Sequence, residues 1–423
     1  MIYNATIYNN SWNTKTLKDL GDFSRGKSKH RPRNDPKLFN NGTYPLVQTG
    51  DIKAATLHID KHEQSYNEFG LSQSKLWPTG TLCITIAANI AETGILAYPM
   101  CFPDSIVGFT ANQMETSELF MHYIFTYIRQ SIQNSVSGSI QDNINIEYLK
   151  SLDFKIPEKS YQDKIVSILS GLDEKIELNL KICSELEAMA KTLYDYWFVQ
   201  FDFPNENGKP YRTSGGEMVW NEQLKREIPK GWKAIEYSEL VDIENSSINP
   251  SSFGETVMEH YSIPAFDEDC MPAFDTADTI QSGKYRVLKE TFLVSKLNPQ
   301  FRRIWNPYCL TDNAICSTEF MVYKPKDITL RPICYAIANS DGFYNHMVSK
   351  AISSTGSRKR IQPDVSIKYS LAFPLDRFVV DRFCSHYGPI TEKIKKTKLE
   401  NYELKKLRDW LLPMLMNGQA RVE

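Results

Sequence analysis

No CxxC pair occurs among the eight cysteines, which are scattered as Cys83, Cys101, Cys183, Cys270, Cys309, Cys316, Cys334 and Cys384. No window approaches the roughly 18 uninterrupted apolar residues that a spanning helix needs. The opening stretch MIYNATIYNNSWNTKTL lacks the basic-then-apolar pattern of an export signal. A reduced, cytoplasmic protein with no membrane role is the expectation. An excess of one charge is also missing: the formal net charge is −2, so any basic surface must be local.

Catalytic signatures are equally scarce. The chain contains no GxxxxGK[ST], no GxGxxG and no HExxH. His58 and His62 have helical spacing but sit in a polar stretch without a third ligand, so no metal site is expected. NPQF (298–301) and NPYC (306–309) lack the second proline of the asparagine-proline-proline-aromatic motif of amino-methyltransferases, and no glycine-rich cofactor loop precedes them. They read as turns. Pro103-Asp104 and Pro363-Asp364 have no following acidic-x-Lys pair, which argues against a nuclease. The expectation is a non-catalytic chain with no catalytic residues, no metal and no cofactor of its own.

What is present is a duplication. At 423 residues with 41% hydrophobic content, the chain is long enough for two or three domains, each with its own core. SELEAMAKTLYDYWF (184–198) and YELKKLRDWLLPMLM (402–416) superpose with Glu185-Leu186 on Glu403-Leu404, Met189 on Leu407 and Leu193 on Leu411. Asp163-Lys164 meets Asp381-Arg382 at the same spacing, and Glu174-Lys175-Ile176 meets Glu392-Lys393-Ile394. Further back, LDFKIP ending at Pro157 faces SLAFP ending at Pro374, and Trp12 faces Trp232. Each half is therefore a mixed globular segment followed by a long helix.

The first helix carries a spine of Ile165, Leu169, Leu172, Ile176, Asn179, Cys183, Leu186, Ala190, Leu193 and Trp197, alternating steps of four and three. That period favours a coiled-coil seam. The second runs Phe383, Tyr387, Ile390, Ile394 and then, past polar Thr397 and Asn401, Leu404, Leu407, Leu411 and Met414 or Leu415. Neither stripe is stable unpaired, and packing the two together buries both. About 35 residues in each would make a rod of about 50 Å. The stretch 201–232, with Pro204, Gly208, Pro210, Gly215, Gly216, Pro229 and Gly231, reads as a turn-rich connection. The boundaries expected are a globular domain over 1–157, a helix over 158–200, connection plus second globular domain over 201–375, and a second helix over 376–423.

Two local clusters break the neutral balance. SRGKSKHRPRN (24–34) places Arg25, Lys27, Lys29, Arg31 and Arg33 in one loop without an acid, where Gly26 and Pro32 discourage a helix. SSTGSRKRIQPD (353–364) places Arg358, Lys359 and Arg360 beside Thr355, Ser357 and Gln362. Such clusters suit phosphate contact, and Arg and Gln can also read base edges; a solvated charged loop is the ordinary alternative. In the first half SVSGSIQDNI (135–144), with Ser137, Ser139, Gln141 and Asn143, occupies the equivalent place, with Gln141 facing Gln362 and Ile144 facing Val365. An ordinary polar turn is the competing account of it.

With the duplicated plan, the SxSGSxQxNI stretch, the long helices, LYDYWFVQFDFPNENGKPYRTSGGEMVWNEQLKREIPKGW and LRDWLLPMLMNGQARV in view, the chain resembles the specificity subunit of Type I restriction–modification enzymes along essentially its whole length. The resemblance implies an α+β fold: two mixed α/β target-recognition domains held apart by two long antiparallel helices, a coiled coil, in a pseudo-two-fold internal repeat. It implies a DNA-recognition subunit that binds double-stranded DNA at a bipartite, asymmetric target with an unread spacer. Two adenine methyltransferase (modification) subunits would dock on the helices, and restriction subunits, ATP-dependent translocase/nucleases, would join through them. S-adenosylmethionine would belong to the methyltransferase partners. The residues expected to serve docking or the helix seam are Ile165, Leu169, Leu172, Ile176, Leu186, Leu193, Trp197, Ile390, Ile394, Leu404 and Leu411. Three other readings stay open: a stand-alone DNA-binding or decoy protein of this architecture, a coiled-coil adaptor with no salt-dependent DNA binding, and a self-sufficient methyltransferase that would itself bind S-adenosylmethionine.

Overall fold

The computed structural model describes residues 2–137, 144–353 and 358–422. They form two compact units, Met1–Leu180 with Asn401–Glu423, and Lys181–Glu400. The first long helix, Lys159–Tyr194, gives its residues up to Leu180 to unit 1 and the remainder to unit 2. The second, Arg377–Met416, gives unit 1 its residues from Asn401 onward.

Unit 1 closes on itself through Asn13–Thr16, which pairs antiparallel with Asp153–Ile156 in the register Asn13 to Ile156. Thr16 then caps the short helix Leu17–Leu20 in a reciprocal box with Asp19. A five-stranded sheet follows in the order Gly21–Arg25, Ile106–Ala111, Leu82–Thr85, Thr93–Leu96, His58–Ile59. Leu82–Thr85 and Thr93–Leu96 are buried at every position, as strands covered on both faces must be. The helix Glu118–Ser137 helps to cover them, and its Phe120, Ile124, Ile128 and Ile132, one helical turn apart, join the same core. A four-stranded sheet built on Tyr44–Leu46 and Met100–Cys101 completes the unit.

Unit 2 repeats this order. Trp232–Glu236 pairs with Ser370–Pro374, Trp232 opposite Pro374. A sheet in the order Val241–Ile243, Phe320–Pro325, Phe292–Ser295, Ile304–Trp305 matches the first four strands of the larger sheet of unit 1. Val257–Tyr261 runs parallel to Ala314–Ser317, as Tyr44–Leu46 does to Met100–Cys101. Where unit 1 has one covering helix, unit 2 has two, Arg331–Ala338 and Asp341–Lys350, because Ser340 accepts the Phe343 N–H and starts a new helix there. The connection is more regular than its turn residues suggest: Met218–Asn221 and Arg226–Pro229 form a hairpin, closed by Asn221 Oδ1 on the Leu224 N–H with Lys225 at φ +50°.

Within each unit the two long helices run antiparallel. In unit 1, Ile165, Leu169 and Ile176 are buried, and Ile165 and Leu169 share the sheet core with Leu412, Leu415 and Met416. Leu172, Leu404 and Leu411 are half-buried, and Leu407 is exposed. Polar residues fill the seam beside them. Asp173, 1% exposed, accepts from Tyr123 Oη at 2.7 Å and from Arg408 Nη1 at 2.8 Å. Burial raises its pKa despite those donors. Asn179 Nδ2 donates to Asn401 Oδ1 at 2.8 Å, and Asn401 Nδ2 donates to the Ile176 carbonyl at 3.1 Å. In unit 2 the seam becomes aromatic: buried Trp197, Tyr194 and Phe198 surround Phe383, with Phe198 edge-on at 4.9 Å between centroids. Leu193 and Ile390 pack half-buried against this cluster, and Leu186 and Ile394 are half-buried as well.

Glu177 on the first helix also ties down the edge strand His58–Ile59. It accepts from the Leu57 and His58 N–H groups at 3.0 and 2.8 Å and from His58 Nδ1 at 2.9 Å. The Glu177 hydrogen bond raises the His58 pKa, against burial. The Glu177 pKa is lowered because the hydrogen bonds from His58 and Leu57 outweigh burial.

Two outcomes follow. Arg408→Met leaves Asp173 buried without its cation and lowers the stability of unit 1 by roughly 3 kcal/mol in urea unfolding, while Asp173→Leu with Arg408→Met recovers most of it. The stabilisation lost in Glu177→Gln is largest between the ordinary values of 4.5 for the glutamate and 6.5 for the histidine. It shrinks as pH rises through the raised His58 pKa or falls through the lowered Glu177 pKa, which thermal melts across that range check.

Candidate nucleic-acid interface

The cationic loop of unit 1 leaves the edge strand Gly21–Arg25 and turns at Gly26. A Cβ there would lie 2.3 Å from the Pro103 carbonyl oxygen and 2.4 Å from that of Phe102, so the close approach requires glycine. The Gly26 N–H donates to the Ile106 carbonyl and the Lys27 N–H to that of Phe102. The loop is thus held against 102–106. Arg25, Lys27 and Lys29 project from it exposed, with no ion pair to any described residue. Arg31 and Arg33 differ. The loop has no acid of its own, but the fold brings Asp104 to it, 2.6 Å from Arg33 Nη2 and 3.9 Å from Arg31 Nη2. Arg31 Nη1 also donates to the Ser28 and His30 carbonyls. Of the five cations, three are free to meet an anion and two are engaged.

The cluster of unit 2 lies on a hairpin. Ile352–Ser353 pairs with Lys359–Arg360, Ile352 opposite Arg360. Arg358 and Lys359 are exposed and form no ion pair with a described residue. Arg360 forks onto Glu319, Nε at 3.1 Å and Nη2 at 2.8 Å, and this pairing holds the Glu319 carboxyl below its usual range. Arg360 fastens the hairpin rather than offering a free charge. Gln362 is exposed and precedes the short helix Pro363–Ser366.

Ser139, Gln141, Asn143, Thr355 and Ser357 lie outside the described residues, as does the side chain of Ser137, which ends the helix Glu118–Ser137. The residues that follow correct the alignment of the two segments. Ile144 N–H donates to the Ile86 carbonyl at 3.0 Å and Ile361 N–H to that of Lys296 at 3.1 Å. Asn145 and Gln362 then occupy the N-cap positions of matching short helices. Ile144 therefore corresponds to Ile361, not Val365, and Gln362 to Asn145, not Gln141. A helix start fixes backbone register, whereas a shared glutamine in a polar stretch does not.

The other candidates resolve into structural roles. His58 is held by Glu177, and His62 Nδ1 lies 2.8 Å from Tyr98 Oη. Among the described residues no three of His, Cys, Asp and Glu lie together as metal ligands. NPQF begins at Asn298 in the left-handed region, φ +47°, and NPYC ends at Cys309 with φ +48°. The second turn is anchored by Tyr261 Oη, which accepts the Tyr308 and Cys309 N–H groups and donates to buried Glu259. No helix among the described residues is long and apolar enough to cross a membrane.

The sequence reading missed the partners of the arginines. Asp104 and Glu319 are far from Arg33 and Arg360 along the chain, and only strand pairing brings them close. It also missed the loop 296–303, whose Arg302 and Arg303 gave a signal only once their neighbours were known. Arg303 forks onto Asp267 at 2.6 and 2.7 Å.

The family model described as the Type I restriction modification DNA specificity domain matches residues 9–188. The chain is 24% identical to the MjaIX specificity subunit of a Type I restriction enzyme from Methanocaldococcus jannaschii, over 97% of this chain and 94% of that protein. It is 40% identical over 88 residues to the HindI specificity subunit of Haemophilus influenzae, covering 21% of this chain and 17% of that one. The solved S subunit of a Type I restriction–modification system from M. genitalium superposes with a TM-score of 0.62 at 15% identity, over 98% of this chain and 99% of that chain, a likeness of fold. Residues 9–188 thus match the Type I DNA specificity domain, and over nearly its whole length the chain is similar in sequence to a Type I specificity subunit.

Proposed function

We propose that this chain is the DNA-recognition subunit of a Type I restriction–modification complex, each unit reading one half of a bipartite, asymmetric target. The observation that carries this reading is that both units of the repeated plan bear exposed cations, on loops at different places in that plan. Each unit sets a loop of unpaired cations, Arg25, Lys27 and Lys29 in one and Arg358 and Lys359 in the other, on a repeated strand plan. Phosphates are the natural partners of such loops. The cations stand on different loops of the shared plan, so the half-sites differ too.

The unread spacer between the half-sites is set by the two long helices, each of which contributes to both units. The same helices carry apolar residues left exposed by the described residues. In unit 1 these include Leu178, 53% exposed, and Leu180 on the first helix and Leu407 and Trp410, the latter 57% exposed, on the second. Such residues suit helical partners, and two methyltransferase subunits, which would hold S-adenosylmethionine and through which restriction subunits would join, are the partners proposed. This assembly would work in the cytoplasm.

Fluorescence anisotropy of the full chain on duplex DNA tests the reading. The logarithm of affinity should fall linearly with that of salt, and Lys27→Ala or Lys29→Ala should each reduce the slope by about 0.9. Arg33→Ala, whose side chain is already paired, should leave the slope nearly unchanged. Binding without salt dependence would overturn the proposal. For the helices, Trp410→Asp should abolish co-purification with the methyltransferase subunit while leaving the unfolding midpoint of the chain unaltered.

A further inference from the structure

We propose that Phe301 is an aromatic wedge that stacks on or between bases of the half-site read by unit 2; the inference rests on the DNA-recognition reading above. Phe301 stands on the loop 296–303, which joins the strands Phe292–Ser295 and Ile304–Trp305. This loop and the cationic hairpin form one platform. The Asn298 N–H donates to the Lys359 carbonyl at 2.7 Å, and the Lys359 N–H donates to Asn298 Oδ1 at 2.9 Å. Asn298 makes both bonds from the left-handed conformation, φ +47°, which asparagine tolerates better than most residues. The Ile361 N–H adds a third tie, to the Lys296 carbonyl at 3.1 Å.

On this platform Phe301 is 55% exposed, yet it is held in place. Its N–H donates to the Asn298 carbonyl at 2.9 Å, and the Arg303 guanidinium lies over its ring, 5.0 Å from the centroid. That guanidinium is itself fixed by both oxygens of Asp267. The neighbouring Arg302 is tied to Asp341 at 2.8 Å and stacks on Tyr344, whose Oη donates to the Gln300 carbonyl. A scattered exposed phenylalanine needs no explanation. Phe301 is different because its loop is braced on both sides and bonded to the strand that carries the free Lys359 and adjoins Arg358.

An apolar ring carried on a braced loop beside cations is the arrangement suited to unstacking a base step. The pinning lowers the entropy lost on insertion. Unit 1 has the same junction, Ile144 on Ile86, but its loop 86–92 reads IAANIAE and offers no aromatic ring. The wedge therefore belongs to one half-site only.

The test uses the full chain and a duplex that the wild type selects from a random pool. Phe301→Ala should weaken binding to that duplex by roughly 10-fold to 100-fold, the range of a lost base–aromatic stack. Phe301→Trp should retain wild-type affinity, and the salt slope of both variants should match the wild type. Independently, 2-aminopurine placed at successive positions of the half-site should brighten at one step with the wild type and not with Phe301→Ala. Unchanged affinity of Phe301→Ala, or no brightening at any step with the wild type, would overturn the wedge while leaving DNA recognition intact. If the wild type selects no duplex at all, the DNA-recognition reading itself fails.

Discussion

The buried polar contacts between the two long helices decide where the rest of unit 1 can lie. Apolar seams are tolerant: leucine slides past leucine with modest loss, and a helix that slips by one heptad finds another apolar hole. A hydrogen-bonded asparagine pair has no such freedom, because a slip leaves amides buried without partners. Asn179 and Asn401 make that pair, and the Asn401 amide also caps the Ile176 carbonyl. Less than two turns away, Asp173 with Arg408 and Tyr123 repeats the constraint and extends it to the sheet-covering helix. Glu177, on the same stretch of helix, holds the edge strand that begins at His58. One short segment thus fixes the second helix, the covering helix and the sheet in a single register.

The polar seam has a cost. Burial raises the Asp173 pKa, and an apolar replacement of the whole cluster would sacrifice little stability. Its value is uniqueness: under the proposed reading of two half-sites across a spacer, the helices must pair in one register only. The braced loops of unit 2 follow the same logic on a smaller scale. Arg360 and Arg303 pair with Glu319 and Asp267, which fastens the hairpin and the loop that carry Lys359 and Phe301.

Much of this was legible in the sequence, for definite reasons. Duplication survives in residue spacing, so the alignment of Trp12 with Trp232 and of Pro157 with Pro374 already matched the strands of one half to those of the other, though not which strands pair within each half. The helices announced themselves by period, and the cationic loops by local charge. What stayed hidden was non-local. Nothing near Arg33 points to Asp104, and nothing near Arg360 points to Glu319. The heptad pattern offered Leu407 where the structure turns Arg408 inward to Asp173. The equivalence of Gln141 and Gln362 failed because composition in a polar stretch carries no register, while a helix N-cap does. The wedge residue Phe301 was passed over inside a stretch read only as a turn.

The central claim is that two units of one chain each read half of a single target. Single-molecule sequencing of DNA from cells that express this chain with its methyltransferase subunit, compared with cells lacking the chain, tests it most directly. The account predicts a new motif of two dissimilar halves separated by a spacer of fixed length, with modified adenine in each half. A continuous motif, two identical halves, or an unchanged pattern from a complex shown to assemble would contradict it.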